Sequence, residues 1–175
     1  MSVLHPSING GRPSGLLAVH SLSKRSNVAG YRAGFVAGDR GVVADLLLIR
    51  KHAGMLVPRP VQEAMIALLA DHDHVEQQRR RYRGRRAMLW PALEAAGFRI
   101  EHSEGSIYLW ATRDEDCHAS VDFLASKGIL VAPGDFYGEA ASRHVRVALT
   151  ATDERVAAAA ARLLAAPDPG SRSSD

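Results

Sequence analysis

The stretch His20–Phe35, HSLSKRSNVAGYRAGF, connects two short apolar segments. The segments Leu16–His20 and Tyr31–Gly38 have the length and composition of β-strands. Between them the chain places Lys24 among serines, and Arg32 follows eight residues later. The pattern predicts two strands, the first of them buried, joined by a loop that carries one amine and one guanidinium group.

These residue types suit an aldehyde cofactor that bears a phosphate. A lysine at the end of a buried strand can form a Schiff base with an aldehyde. The phosphate of pyridoxal phosphate needs hydroxyl donors and a bidentate cation, which Ser21, Ser23 and Arg32 can supply. Two glycines leave the backbone free to bend around such a group: Gly30 and Gly34. The loop therefore predicts a pyridoxal phosphate site built around Lys24.

Two other interpretations compete with this one. A lysine in a serine-rich loop is often only solvated, and S-x-S-K by itself favours that view. Ser21–Lys24 also matches S-x-x-K, the nucleophile motif of β-lactamases and penicillin-binding proteins. That chemistry needs a K-T-G motif as well, and neither Lys51 nor Lys127 lies in one. The motif opens a helix in those enzymes, whereas here we expect it to end a strand.

The composition is that of a globular protein from a reducing compartment. Apolar residues make up 46% of the chain, and the net charge is +3. Cys117 is the single cysteine, so an internal disulfide is excluded, and we expect it to be a structural thiol. No apolar run approaches the roughly 20 residues that span a bilayer, and the N-terminus lacks the apolar segment of a signal peptide. We expect a cytoplasmic protein that is not bound to a membrane.

The remainder of the chain alternates helices with short strands, which predicts the α/β class. Helices are predicted over Val42–Arg50, 61–71, 73–96, His118–Lys127 and from Thr152 or Asp153 to about Ala166, and strands over Phe98–Glu101, Ile107–Ala111, Ile129–Ala132 and 144–150. We predict three parts: residues 1–78 with Lys24 and Arg32, a helix and small domain over residues 79–166, and a disordered tail over residues 167–175.

The segment S-L-S-K followed by G-Y-R-A-G resembles the cofactor-lysine segment of class I/II aminotransferases, the fold-type I pyridoxal phosphate enzymes. GSIYLWAT, PGDFYG and HVRVALT extend the resemblance over about residues 1–165. The overall similarity is greatest to actinobacterial succinyldiaminopimelate aminotransferases. The resemblance implies the C-terminal part of that fold: a remnant of the large-domain sheet, a long bridging helix and an α/β small domain.

The resemblance also implies roles for individual residues. Lys24 would form the Schiff base and move a proton at the substrate Cα, while Ser21, Ser23 and Arg32 would hold the phosphate. Arg146 occupies the place of the arginine that binds the substrate α-carboxylate. Alternation along HVRVALT independently puts Arg146 on the strand face opposite Val145 and Val147.

The implied reaction passes an amino group between an amino acid and a 2-oxo acid. The expected pair is N-succinyl-diaminopimelate or its keto acid with glutamate or 2-oxoglutarate, in lysine biosynthesis. The family resemblance also implies a homodimer. Another amino-acid aminotransferase of the same class remains an alternative.

The resemblance places several family residues upstream of the lysine, including the aspartate that faces the pyridine nitrogen. Met1 lies only 23 residues before Lys24. We therefore expect the C-terminal half of an aminotransferase, whether a truncated product, a mis-called start or one piece of a split enzyme. Such a chain is expected to be inefficient as a catalyst on its own.

The tract Arg79–Arg86, RRRYRGRR, holds six arginines in eight residues and suggests nucleic-acid binding. It lies within a helical apolar pattern, so a solvated or salt-bridged helix face is the favoured interpretation, and a basic binding module is the alternative. His72 and His74, beside Asp71 and Asp73, suggest metal ligands, but helix capping accounts for them better. No nucleic-acid partner and no metal are expected.

Overall fold

The structure, a computed structural model, describes residues 2–165. The chain divides into two compact units, Met1–Glu76 and Gln77–Asp175. The domain boundary that the sequence predicts after residue 78 stays a prediction. The tail predicted to be disordered, residues 167–175, lies outside the described residues. Within residues 2–165, no helix is both long enough and apolar enough to cross a membrane.

The first unit is built on a two-stranded antiparallel ribbon followed by two helices. Its elements are α1 (Pro6–Asn9), β1 (Leu17–Ser21), α2 (Leu22–Arg25), a 3₁₀ turn (Ala29–Tyr31), β2 (Gly34–Gly38), α3 (Arg40–His52) and α4 (Arg59–Ala70). The side chain of Asp39 caps α3 by accepting hydrogen bonds from the backbone N–H groups of Gly41 and Val42. Both predicted strands are confirmed.

Two local expectations for this unit are wrong. The strand β1 is not buried: Val19 is 80% exposed, because β2 is the single described strand beside it. The second strand begins at Gly34 rather than Tyr31, since Arg32 adopts a left-handed conformation with φ of 51°. Near the start of the unit, His5 accepts a hydrogen bond from Ser7 N and caps the short helix α1.

The second unit packs three helices against a four-stranded sheet. Its elements are α5 (Asp73–Ala95, whose first turn lies in the first unit), β3 (Arg99–Glu101), β4 (Tyr108–Thr112), α6 (Cys117–Ser126), β5 (Ala132–Pro133), two 3₁₀ turns (Gly134–Tyr137 and Glu139–Ala141), β6 (Val145–Ala148) and α7 (Asp153–Leu164). The strand order is β3-β4-β6-β5, all antiparallel. The predicted helices and the β3–β4 pair are confirmed within a residue or two, while the predicted strand Ile129–Ala132 is reduced to β5.

One face of this sheet forms the core of the unit. Val145, Val147 and Leu149 are buried, together with Leu109 from the neighbouring strand and Leu93 from α5. These side chains remove a continuous apolar surface from water, which is the main favourable term in folding. The opposite face of β6 carries His144, Arg146 and Ala148, as the alternation predicts.

Replacing Leu109 with alanine should lower the free energy of unfolding by about 2–5 kcal/mol, because Leu109 is fully buried. Leu130→Ala is the matched control, since Leu130 is 92% exposed and its loss should change stability by less than about 0.5 kcal/mol. Urea denaturation of both variants measures the difference. Equal effects would mean that Leu109 does not belong to the core.

Candidate active site

The lysine loop, residues 21–34, is closed by backbone pairing between β1 and β2. Ser21 faces Gly34 across the ribbon, and Leu22 N donates to Ala33 O at 3.1 Å. Ser21, Ser23, Lys24 and Arg32 all belong to this closed loop. The structure therefore brings the four predicted cofactor-binding residues to one end of the ribbon.

The segment after Ser21 is a single helical turn, α2, rather than a loop. The expectation that the motif ends a strand holds for Ser21, the last residue of β1, but the expected contrast with a motif that opens a helix is wrong, because Leu22–Lys24 lie in α2. A helical turn at this point is compatible with the S-x-x-K interpretation. The missing K-T-G sequence still opposes it.

Gly34 is required by the close approach of the two strands. A Cβ atom at this position would lie 2.6 Å from the carbonyl oxygen of His20, a distance that the backbone could accommodate only by moving the strands apart. Gly30, by contrast, has open space where a Cβ would stand. Of the two glycines noted in the sequence, Gly34 is the one that fixes the geometry of the loop.

The adjacent cations Lys24 and Arg25 have different roles. Arg25 donates to the carbonyl of Leu68 at 2.7 Å and contacts His72 at 3.2 Å, so it ties the loop to α4. Lys24 is exposed and has no hydrogen-bond or ion-pair partner among residues 2–165. The amine of Lys24 is therefore available to a ligand, whereas the guanidinium of Arg25 is engaged.

The side chains of the loop offer donors without competing acids. Ser21 and Arg32 are exposed and Ser23 is half-buried. One guanidinium nitrogen of Arg32 donates to Ala29 O at 3.0 Å, which leaves the others available. No aspartate or glutamate occurs between residues 17 and 38. The loop is therefore suited to an anion.

Arg146, in the second unit, lies between two aromatic rings at the base of a cleft. Its guanidinium carbon is 4.2 Å from the ring centre of Tyr108 and 5.2 Å from that of Tyr137. Its Nε is buried and has no hydrogen-bond partner among residues 2–165. The cleft, about 350 Å³ in volume, is lined by His102, Ser103, Ser106, Tyr108, Trp110, Tyr137 and Arg146. A buried donor without a partner costs about 1–3 kcal/mol, so the site favours an acceptor that enters the cleft.

A second layer of contacts holds the aromatic wall of this cleft. Trp110 stacks on His144 with ring centres 5.1 Å apart and meets the edge of Tyr137 at 5.8 Å. His144 Nε2 lies 3.0 Å from the Glu101 carboxylate, so this nitrogen carries the proton. The hydrogen bond from His144 also lowers the pKa of Glu101 below its ordinary value. Glu101 therefore orients His144, and His144 supports Trp110.

The rim of the cleft is held by an arginine of the basic tract. Arg86 donates to the backbone carbonyls of Ser103, Gly105 and Ser106, at 2.9 Å and 3.2 Å for the last two. His102 and Ser106 adopt positive φ values of 46° and 78°, conformations that L-residues keep only where other contacts hold them. Arg86 supplies such contacts.

The neighbouring arginine also serves the fold. Arg85 binds Asp153 at 2.5 Å and donates to Leu149 O at 3.0 Å. Arg85 and Arg86 are thus both held by contacts within the second unit. The favoured interpretation of the tract, a structural helix face, agrees with these contacts.

His72 and His74 lie near the start of α5 with different partners. Asp71 accepts the backbone N–H of Asp73 at 2.8 Å, which is the expected capping interaction. His72 contacts Arg25, and His74 Nε2 lies 3.0 Å from the hydroxyl of Ser26. Both histidines thus connect α4 and α5 to the lysine loop.

Sequence reasoning missed the cleft residues Tyr108, Trp110 and Tyr137. The signal available was the alternation Tyr-Leu-Trp along β4, which puts both aromatic side chains on the face that Arg146 shares. Recognising it requires the β4–β6 register, in which Trp110 faces Arg146. For Tyr137 the sequence offers only its place in the segment PGDFYG, which supports the family resemblance but assigns the side chain no position.

The family model described as aminotransferase class I and II matches residues 4–163. The chain therefore belongs to this family, whose members depend on pyridoxal phosphate. The α/β architecture is that of fold-type I aminotransferases. A solved aminotransferase from Neisseria meningitidis superposes with a TM-score of 0.79 at 36% identity, covering 90% of this chain and 42% of that one. One from Staphylococcus aureus gives a TM-score of 0.75 at 31% identity, covering 86% of this chain and 41% of that one.

Curated relatives include a probable aminotransferase of Mycobacterium tuberculosis, 64% identical over 163 residues, which are 93% of this chain and 39% of that protein. The 4-dedimethylamino-4-oxo-anhydrotetracycline transaminase of Streptomyces rimosus is 63% identical over 163 residues, covering 93% of this chain and 45% of that protein. The LL-diaminopimelate aminotransferase of Gloeobacter violaceus is 33% identical over 151 residues, covering 83% of this chain and 38% of that protein. The chain thus spans less than half the length of each of these relatives.

Arg86→Gln should lower the free energy of unfolding by about 2 kcal/mol, because charge-assisted hydrogen bonds to three carbonyls are lost. Arg83→Gln is the matched control, since Arg83 is an exposed residue of the same tract and its loss should cost less than about 0.5 kcal/mol. Urea denaturation provides the comparison. Equal losses would contradict a structural role for Arg86 at the rim.

Proposed function

We propose that the chain contributes the cofactor lysine and a substrate-binding arginine of an aminotransferase. The observation that carries the proposal is Arg146, whose buried Nε has no partner among residues 2–165 and whose guanidinium lies between two aromatic rings in a cleft. A guanidinium binds a carboxylate through two parallel hydrogen bonds. Amino acids and 2-oxo acids, the two substrate classes of the reaction, both present such a carboxylate.

The lysine loop fits the cofactor in chemical type. When bound, pyridoxal phosphate supplies an aldehyde that joins a lysine amine and a ring that withdraws electrons from the substrate Cα. Ser21 and Ser23 would donate hydroxyl hydrogen bonds to the phosphate, and Arg32 would offset part of its negative charge. Lys24, whose amine has no partner among residues 2–165, would accept and return the proton at the substrate Cα.

The cleft around Arg146 also orients the substrate. Tyr108 and Tyr137 exclude water from the guanidinium, which strengthens its attraction for a carboxylate. Trp110 adds an apolar wall, and the exposed His102 and Ser106 at the rim offer polar groups to a side chain that extends beyond the carboxylate. This arrangement favours a substrate with a long side chain that ends in polar groups.

N-succinyl-diaminopimelate fits that description, so we propose it, or its keto acid, as one substrate and glutamate or 2-oxoglutarate as the other. The relatives named as LL-diaminopimelate aminotransferases support a diaminopimelate skeleton at 32–34% identity. On this basis we propose that the reaction belongs to lysine biosynthesis, and the cytoplasm stays the predicted compartment. We also propose a homodimer, because dimers are general in the family. A second candidate function is transamination of a different substrate by an aminotransferase of the same class. The 63% identity to the tetracycline-pathway transaminase supports it.

Arg146→Lys should weaken binding of N-succinyl-diaminopimelate and glutamate about tenfold or more, because lysine cannot form the paired hydrogen bonds. Arg80→Lys, on the exposed side of α5, should leave binding unchanged. NMR titrations that follow the indole signal of Trp110 measure the affinities. Equal binding of cadaverine, which has the amines but no carboxylate, would contradict the role of Arg146.

The cofactor proposal predicts selective labelling among the three lysines of the chain. After incubation with pyridoxal phosphate and reduction with sodium borohydride, peptide mass spectrometry should find the adduct mainly on Lys24. Arg32→Ala should weaken cofactor binding about tenfold or more, because a charge-assisted phosphate contact is lost, whereas Arg12→Ala should not. An adduct distributed equally over Lys24, Lys51 and Lys127 would contradict the proposal.

A further inference from the structure

Cys117, His118 and Asp135 form a cluster that the proposed reaction does not use. Each offers one ligand atom, and these atoms lie within 4.8 Å of one another. The His118 Nε2 and the Asp135 carboxylate are already 2.8 Å apart. None of the three lines the Arg146 cleft.

The three groups are the ligand types that zinc and cobalt prefer in proteins: a thiolate, an imidazole and a carboxylate. With metal–ligand bonds of about 2.0–2.3 Å, the ligand atoms of a tetrahedral site stand roughly 3–4 Å apart. The present separations, all within 4.8 Å, are close to that range. Three protein ligands leave the fourth position to water or another small ligand.

The backbone fixes each ligand independently. Cys117 N donates to Ser142 O at 2.8 Å, and the Asp116 carboxylate caps α6 by accepting from His118 N at 2.9 Å. Asp135 follows Gly134, where a Cβ would stand only 2.0 Å from the carbonyl oxygen of Ala141. Backbone hydrogen bonds from Gly134 N to His144 O at 2.8 Å and from Gly138 N to Asp135 O at 3.0 Å hold the turn that carries Asp135.

The charge around the cluster and its access to solvent both suit the binding of a cation. The N-terminus of α6 disfavours a cation, whereas the carboxylates of Asp116 and Asp135 beside this end of the helix favour one. Cys117 is 1% exposed, so its sulfur approaches from the interior. His118 and Asp135 are exposed and leave a path from solvent.

We propose that Cys117, His118 and Asp135 form a site for a thiophilic divalent cation of the zinc class. The ion joins the start of α6 to the turn Gly134–Tyr137, which also presents Tyr137 to Arg146. Its role is structural, because it connects His118 and Asp135, which are seventeen positions apart in the sequence, and touches no group assigned to the proposed reaction.

The test is a titration of the full chain, residues 1–175, with Co²⁺ under reducing conditions. We expect one equivalent to bind with a thiolate-to-cobalt charge-transfer band in the near ultraviolet and the strong visible bands of tetrahedral cobalt, and Zn²⁺ to displace it. His118→Ala and Asp135→Asn should each weaken binding by about tenfold or more. His52→Ala, an exposed histidine of α3, is the matched control and should bind as the wild type does.

Two results would overturn the proposal. One is the absence of a charge-transfer band at stoichiometric Co²⁺. The other is unchanged affinity in both His118→Ala and Asp135→Asn, which would place the metal elsewhere. Both variants change exposed side chains, so circular dichroism should show the wild-type fold. Cys117→Ser should lose the charge-transfer band, and if this buried substitution unfolds the chain, the two exposed variants still test the site.

Discussion

The pairing of β1 with β2 is the constraint on which the lysine loop depends. It places Ser21 opposite Gly34 and joins Leu22 to Ala33 through a backbone hydrogen bond. The residues between must form a closed path, so the amine of Lys24 and the guanidinium of Arg32 belong to one end of the ribbon. Gly34 permits the close approach, because any side chain there would collide with the His20 carbonyl.

In the second unit the position of Arg146 depends on β6, the interior strand between β4 and β5. Alternation sends Val145 and Val147 into the core and Arg146 to the opposite face. Because β6 is packed on the core, it holds the guanidinium of Arg146 more rigidly than a loop would. Tyr108 and Tyr137 then shield it from water, and Arg86 holds the rim. The residues that stabilise this unit thus also shape the cleft.

The parts of this arrangement that depend on local pattern could be predicted from the sequence. The strand–lysine–strand unit, the long helix and the alternation around Arg146 all follow from short-range periodicity, and the family was recognisable from the lysine segment. The contribution of Trp110 could not be predicted in this way, because it depends on the register between β4 and β6. The exposure of Val19 depends on which elements cover a strand, and the binding of Arg86 to residues 103–106 depends on tertiary packing. The catalytic and binding roles assigned to individual residues remain predictions.

The most direct test of the role of Lys24 is a crystal structure of the chain after pyridoxal phosphate has been trapped with borohydride. We predict continuous electron density from Lys24 Nζ to the cofactor, with the phosphate within hydrogen-bonding distance of Ser21 or Ser23 and of Arg32. Density attached to Lys24 whose phosphate contacts none of these residues, or attached to another lysine, would contradict that role.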